Sequence, residues 1–219
     1  MFSSVPKSSI VDIVAPASSG RLADYELACK EIVSWGLAPR SYINFDMKHP
    51  YHSDEDQVRL SDLKRAIYDE ESEVVWCLRG GYGTARLIPE MMKWKKPKKK
   101  KIFIGYSDIT SLHLFFNQVW KWPTIHGPMI SSFAKSVDHD SRNLSELKRI
   151  LLTEKKQQKF VIHPLNKTAN EFNSALTGVV SGGNLAVVAT SIGTPIQIQT
   201  RGKILFLEDV GERGYQIDR

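Results

Sequence analysis

No stretch of this 219-residue chain approaches the roughly 20 apolar residues needed to cross a bilayer, so a membrane-spanning helix is excluded. The opening residues, MFSSVPKSSIVDIVAP, lack the apolar core and small-residue cleavage site of a secretory leader, which points to the cytoplasm. Only two cysteines occur, Cys29 and Cys77, on a predicted helix and a predicted strand. They read as buried free thiols, and nothing around them suggests a metal site. The chain has no G-x-x-x-x-G-K-[ST] loop, and Gly81-x-Gly83-x-x-Arg86 lacks the third glycine of a dinucleotide fingerprint. Neither a metal nor an organic cofactor is expected.

What is present describes a soluble globular protein: 42% hydrophobic and 25% charged residues, enough to bury a sizeable core. The net charge of +6 is concentrated in KWKKPKKKK, residues 93–101. A patch for an anionic polymer is one reading of that run, and a solvated loop is the preferred one. Pro97 interrupts it and no array of stacking aromatics accompanies it, so nucleic acid is not an expected partner.

Strand and helix patterns alternate from the start. Residues 10–15 (IVDIVA), 41–45, 74–78 (VVWCL), 101–106 (KIFIGY) and 124–126 read as strands. Between them lie a helix with Leu22, Tyr25, Cys29 and Ile32 ending at Gly36, one capped by Ser53 with Leu60, Leu63 and Ile67, and a short one near Leu87. Ser141 starts a further helix with Leu144, Leu147 and Leu151. This is the pattern of an α/β domain, a doubly wound parallel sheet of the flavodoxin-like type, over residues 1–153. A polar linker is expected over 154–175. Residues 176–219 then read as a strand, a glycine turn, a short apolar helix and a strand into Glu208. They form the start of a smaller mixed α/β C-terminal domain, too short to bury a core alone.

Ser107 stands where the 101–106 strand meets the helix DITSLHLFFNQVW. Such a turn lifts a hydroxyl out of the sheet beside the free N–H groups of a helix start, a geometry suited to acyl transfer. Gly105-Tyr106-Ser107-Asp108-Ile109 lacks the second glycine of the hydrolase elbow, and taken alone a strand–serine–helix is more often an N-cap. Two other loops have the same placement: Pro16-Ala17-Ser18-Ser19-Gly20 and Arg79-Gly80-Gly81-Tyr82-Gly83. In a parallel sheet all three gather at the carboxyl edge, where ligands bind. The RGGYG loop serves either to bring backbone N–H groups to a substrate or as a tight turn needing glycine for shape alone.

Six stretches resemble, in order, the LD-carboxypeptidases, the serine peptidase family that includes murein tetrapeptide carboxypeptidase and the microcin-immunity peptidases. They are IVAPASSG, VWCLRGGYGTARLIP, IGYSDITSLH, TIHGP, GVVSGGNLAVV and ILFLEDVGERGYQIDR. The resemblance implies Ser107 as nucleophile, Glu208 as triad acid, and an oxyanion hole from the backbone N–H groups of Gly81 and Asp108. Arg79 and Tyr82 are the candidate substrate-binding side chains. The implied activity is release of D-alanine from murein tetrapeptide in cell-wall recycling, by a cytoplasmic homodimer. The alternatives are an immunity peptidase cleaving a peptidyl-nucleotide antibiotic, or a non-catalytic binding protein. The family takes its general base from a histidine near its C-terminus, and this sequence ends before that region. None of the six histidines, His49, His52, His113, His126, His139 and His163, merits promotion to base. The chain is therefore expected to be an incomplete member, inactive as it stands.

Overall fold

A computed structural model describes residues 3–46, 49–135, 139–154 and 157–218. Five parallel strands form the main sheet: β1 (Ile10–Val14), β2 (Ala38–Ser41), β3 (Ser72–Cys77), β4 (Ile102–Gly105) and β5 (Ile125–His126). Their order is β2-β1-β3-β4-β5, the doubly wound order expected from the sequence. The intervening helices are α1 (Leu22–Ser34), α2 (Asp56–Tyr68), α3 (Ile88–Met91) and α4 (Thr110–Phe115), and α5 (His139–Leu152) follows.

The side-chain period of two along β3 divides the interior. Val75 and Cys77 join Phe103 beneath α2, α3 and α4, while Val74, Trp76 and Leu78 face α1 and α5. On the second face the Trp76 ring packs 5.5 Å from Phe133, and its Nε1–H donates to the Pro128 carbonyl at 2.8 Å. Both faces being covered, β3 is apolar from Val74 onward rather than alternating.

Three elements differ from the sequence reading. The second strand is Ala38–Ser41, not 41–45, because charge pairing sets its register on β1. Arg40 lies opposite Asp12 and donates to both its carboxylate oxygens, at 2.7 and 3.0 Å, and to Asp69 at 2.8 Å. Ile43 and Phe45 still pack on the core, but beyond the strand's end. Ser53 does not cap α2, which starts at Asp56 after Glu55; its hydroxyl donates to the Ala15 carbonyl and ties the loop after β1. The helix after Ser107 is composite, opening with a 3-10 turn and closing with a π-turn at Phe116–Trp120. That last turn seats Phe116, Trp120 and Trp122 together, with the Phe116 and Trp122 rings stacked 5.9 Å apart.

Two single residues also depart from expectation. Lys101 is not part of a solvated run: it is buried, and its ammonium donates to the carbonyls of Asp69 and Ser72 and to the Ser72 hydroxyl. Burial pulls its pKa down to about 8. Cys77 is buried, whereas Cys29 is only partly so.

Beyond α5 the chain carries α6 (Lys167–Glu171), β6 (Val179–Asn184), α7 (Leu185–Thr190), β7 (Lys203–Glu208) and α8 (Gly214–Asp218). β6 and β7 pair in parallel as a separate two-stranded sheet. The expected glycine turn is absent: Gly182 and Gly183 continue β6, each at positive φ. At Gly183 glycine is required, since a β-carbon would stand 2.6 Å from Thr110 Oγ1 and φ is 141°. The next residue uses that approach: the Asn184 N–H donates to Thr110 Oγ1 at 3.0 Å. The small sheet is docked on α4 at this point. Among the described residues, no helix is long and apolar enough to cross a membrane.

Replacing Gly183 with alanine should force β6 away from α4 at a cost of about 2–4 kcal/mol, from overpacking plus left-handed strain. Chemical denaturation of the variant against the unsubstituted protein measures that loss. A wild-type midpoint would show that the contact with Thr110 yields without cost.

Candidate active site

β4 ends at Gly105, Tyr106 is extended, and Ser107 turns to φ 62° before the 3-10 turn that leads into α4. Left-handed backbone at a non-glycine residue costs on the order of 1–2 kcal/mol and persists only where surrounding contacts impose it. Those contacts come from the RGGYG loop. Asp108 is buried, and its carboxylate accepts the Thr84 N–H at 2.9 Å. Its carbonyl accepts the Thr84 hydroxyl. Burial raises the Asp108 pKa, opposed by hydrogen bonds from Thr84 and Gly83 and by the charge of Arg59. The Asp108 side chain thus fastens the elbow to the neighbouring loop.

The three strand-end loops meet as expected. A β-carbon on Gly80 would stand 3.2 Å from Ser107 Oγ, so the RGGYG backbone lies directly against the serine hydroxyl. At Gly81, φ is 118° and a β-carbon would fall 2.1 Å from Ser18 Oγ. Ser18 in turn receives the Tyr82 N–H at 3.3 Å and donates to the Tyr51 carbonyl at 2.7 Å. Asp108 N lies in the first helical turn, where N–H groups have no intrahelical acceptor.

Arg79 and Tyr82 sit at the exposed lip. The Arg79 guanidinium donates to the Ser19 carbonyl at 3.2 Å. The Tyr82 ring stacks on His52 with centroids 5.5 Å apart, and His52 stacks on His49 at 4.5 Å. Local sequence gives neither histidine a role, yet His52 is buried. Nor does local sequence give a role to Arg59, whose buried guanidinium donates to the carbonyls of Pro16 and Gly83 and to Asp56, joining two of the three loops. An arginine on a helix face carries no sequence signal for such a task.

Glu208 arrives from the small sheet. It ends β7 in register with Asn184, so the docking of Gly183 on Thr110 carries it to the elbow. Burial and then Asp209 raise its pKa; hydrogen bonds from the Asn184 side chain and the Ser107 backbone N–H pull it back. Its Oε1 faces His126 Nε2 at 3.5 Å. His113 lies behind, its Nε2 2.8 Å from the Gly105 carbonyl, and burial holds its pKa at about 4. Ser107 and Glu208 are therefore neighbours, with His126, Asn184 and Thr84 around them. The site can support a nucleophile, a carboxylate and a pair of backbone donors. No group of three or more metal-ligating side chains is found among the described residues.

A family model for the LD-carboxypeptidase N-terminal domain matches residues 11–127, and one for the C-terminal domain matches 177–219. The chain belongs to the LD-carboxypeptidase family. It is 43% identical over 217 residues to a Rickettsia conorii protein named as a carboxypeptidase, covering 97% of this chain and 67% of that one. It is 33% identical over 213 residues to a Bacillus subtilis protein named as a murein peptide carboxypeptidase, covering 97% and 66%. The chain thus spans about two thirds of the length of these LD-carboxypeptidases. The fold is shared with the crystal structure of muramoyltetrapeptide carboxypeptidase from Oxalobacter formigenes, at TM-score 0.80 and 24% identity over 96% of this chain and 69% of that one. The microcin C7 self-immunity protein MccF has it too, at TM-score 0.75 and 17% identity over 93% and 69%.

The buried neutral His113 predicts a pH dependence of stability. Its folded pKa, about 4, lies below the ordinary value of 6.5. Its contribution is therefore complete above pH 6.5 and is lost as pH falls towards 4, by about 3 kcal/mol in all. Urea unfolding across that window should show the decline, and His113→Gln should flatten it. An equally steep decline in the variant assigns the acid sensitivity to other groups.

Proposed function

We propose that the whole protein is a serine carboxypeptidase that cleaves an L,D-peptide bond and releases terminal D-alanine from murein tetrapeptide. The observation that carries this reading is the left-handed Ser107, placed against the RGGYG backbone with the Glu208 carboxylate beside it. The names of the bacterial relatives supply the substrate class. Ser107 Oγ attacks the scissile carbonyl, and the negative charge that develops on its oxygen is met by the N–H groups of Gly81 and Asp108. The C–N bond then breaks, D-alanine leaves with the proton taken from Ser107, and water hydrolyses the acyl-enzyme. In this reading Arg79, exposed at the lip, meets the terminal carboxylate. A cytoplasmic role in murein recycling, as a homodimer, completes the proposal.

A general base is needed for that proton, and the histidines packed around the three loops and the elbow are engaged elsewhere. His113 bonds to Gly105, His52 is held in its stack, and His126 faces Glu208. In this reading the base comes from sequence beyond these 219 residues, with Glu208 holding the imidazole and stabilising its charged form.

A second reading rests on the Tyr82–His52–His49 stack, whose exposed end offers a flat surface to a planar group. That would suit a peptidyl-nucleotide, the class handled by an immunity peptidase.

D-alanine release from murein tetrapeptide and hydrolysis of a peptidyl-adenylate, assayed in parallel on the whole protein, decide between the two. Ser107→Ala should lower turnover by about four orders of magnitude or more with an unchanged melting temperature. Glu208→Gln should cost less, since it disturbs orientation rather than the attacking atom. Substantial turnover in a well-folded Ser107→Ala protein would falsify the nucleophile. Residues 1–219 alone should show turnover close to background for want of a positioned base. Rates equal to those of the whole protein would place the base within them.

A further inference from the structure

Among the polar atoms near the elbow that are left without hydrogen-bond partners, two belong to residues that face each other. Glu208 Oε1 and His126 Nδ1 are both shielded from solvent and unpaired among the described residues. The Oε1 atom stands 3.5 Å from His126 Nε2, the outer edge of hydrogen-bond distance. The imidazole is held in place by rings on three sides: Phe206 at 5.3 Å, His113 at 5.9 Å and Tyr106 at 6.1 Å. It comes from β5, whose two residues pair with β4 directly before the elbow.

We propose that His126 is a positioning residue for Glu208, its Nε2–H holding Oε1 so that the carboxylate stays ionised and turned towards Ser107. This rests on the reading of Glu208 as the acid of a serine peptidase. Burial lowers the His126 pKa, so the ring is neutral at pH 7 and carries one proton. On Nε2 the proton meets an acceptor, and a lone pair is left at the shielded Nδ1. On Nδ1 it would leave a buried N–H unpaired and set a lone pair against the carboxylate, so the Nε2–H tautomer is favoured. Of the other groups around Glu208, Asp209 on its own strand end opposes its ionisation; Asn184 from β6 and the Ser107 N–H from the elbow favour it. His113, behind His126 on α4, is neutral at pH 7. His126 supplies the donor on the remaining side.

Three measurements test this. In the unsubstituted protein, the ring ¹⁵N shifts of His126 should report the Nε2–H tautomer; the Nδ1–H tautomer overturns the proposal without recourse to any variant. In His126→Phe, which keeps the ring packing but not the donor, the Glu208 carboxyl carbon should titrate about one pH unit higher, the resonance being assigned with Glu208→Gln. In the whole protein the same substitution should lower kcat about tenfold with KM unchanged, the size of one hydrogen bond to a charged group. It should also move the acid limb of kcat/KM upward, and His126→Gln should restore most of the rate. An unchanged Glu208 titration and pH profile in a folded His126→Phe protein overturns the proposal. If the whole protein hydrolyses neither murein tetrapeptide nor peptidyl-adenylate, the reading of function fails, while the tautomer and the titration still decide the pairing.

Discussion

A left-handed serine between a parallel strand and a helix is the constraint on which the site depends. At φ 62° the Ser107 backbone is unfavourable by itself, and it is held because Asp108 is bonded twice to Thr84 across the neighbouring loop. That cross-link brings the RGGYG backbone against the serine, with Gly80 in contact with its side chain. The loop after β1 is fixed to the same assembly by Ser18 and by the buried Arg59. Three loops that would be mobile separately are thereby one rigid edge, the condition for preorganised oxyanion donors.

The carboxylate beside the serine comes from elsewhere in the chain, and it is brought there by close packing rather than by a long side chain. Gly183 lets β6 approach Thr110, Asn184 bonds to the threonine hydroxyl, and strand register carries Glu208 alongside. The small sheet leaves Val179, Val180, Leu205, Phe206 and Leu207 exposed, so these contacts with α4 and the elbow carry much of its attachment.

Much of the main sheet was legible because β1, β3 and β4 are apolar runs, each followed within a few residues by glycine or serine. The meeting of the Ser18, Gly81 and Ser107 loops follows from that alternation. The errors share one cause. β2 was placed three residues late because Ile43 and Phe45 carry the apolar signal, whereas the Arg40–Asp12 pair fixes the register. Ser53 and Lys101 were read as a cap and a solvated charge, and both bond to distant carbonyls that local sequence cannot show. Gly182 and Gly183 looked like a turn because glycine marks a bend and a close approach equally well.

The sequence by itself determined the alternating α/β architecture and the loops at its carboxyl edge, and the resemblance of its ordered motifs to a family singled out Ser107 and Glu208, which lie far apart in the chain. Only the tertiary structure decided what surrounds them: Thr84 on Asp108, Arg59 between the loops, His126 facing Glu208. Periodicity reports which face of an element is buried. It does not report which polar groups meet once elements pack, because that depends on crossing distances and register set by the whole fold.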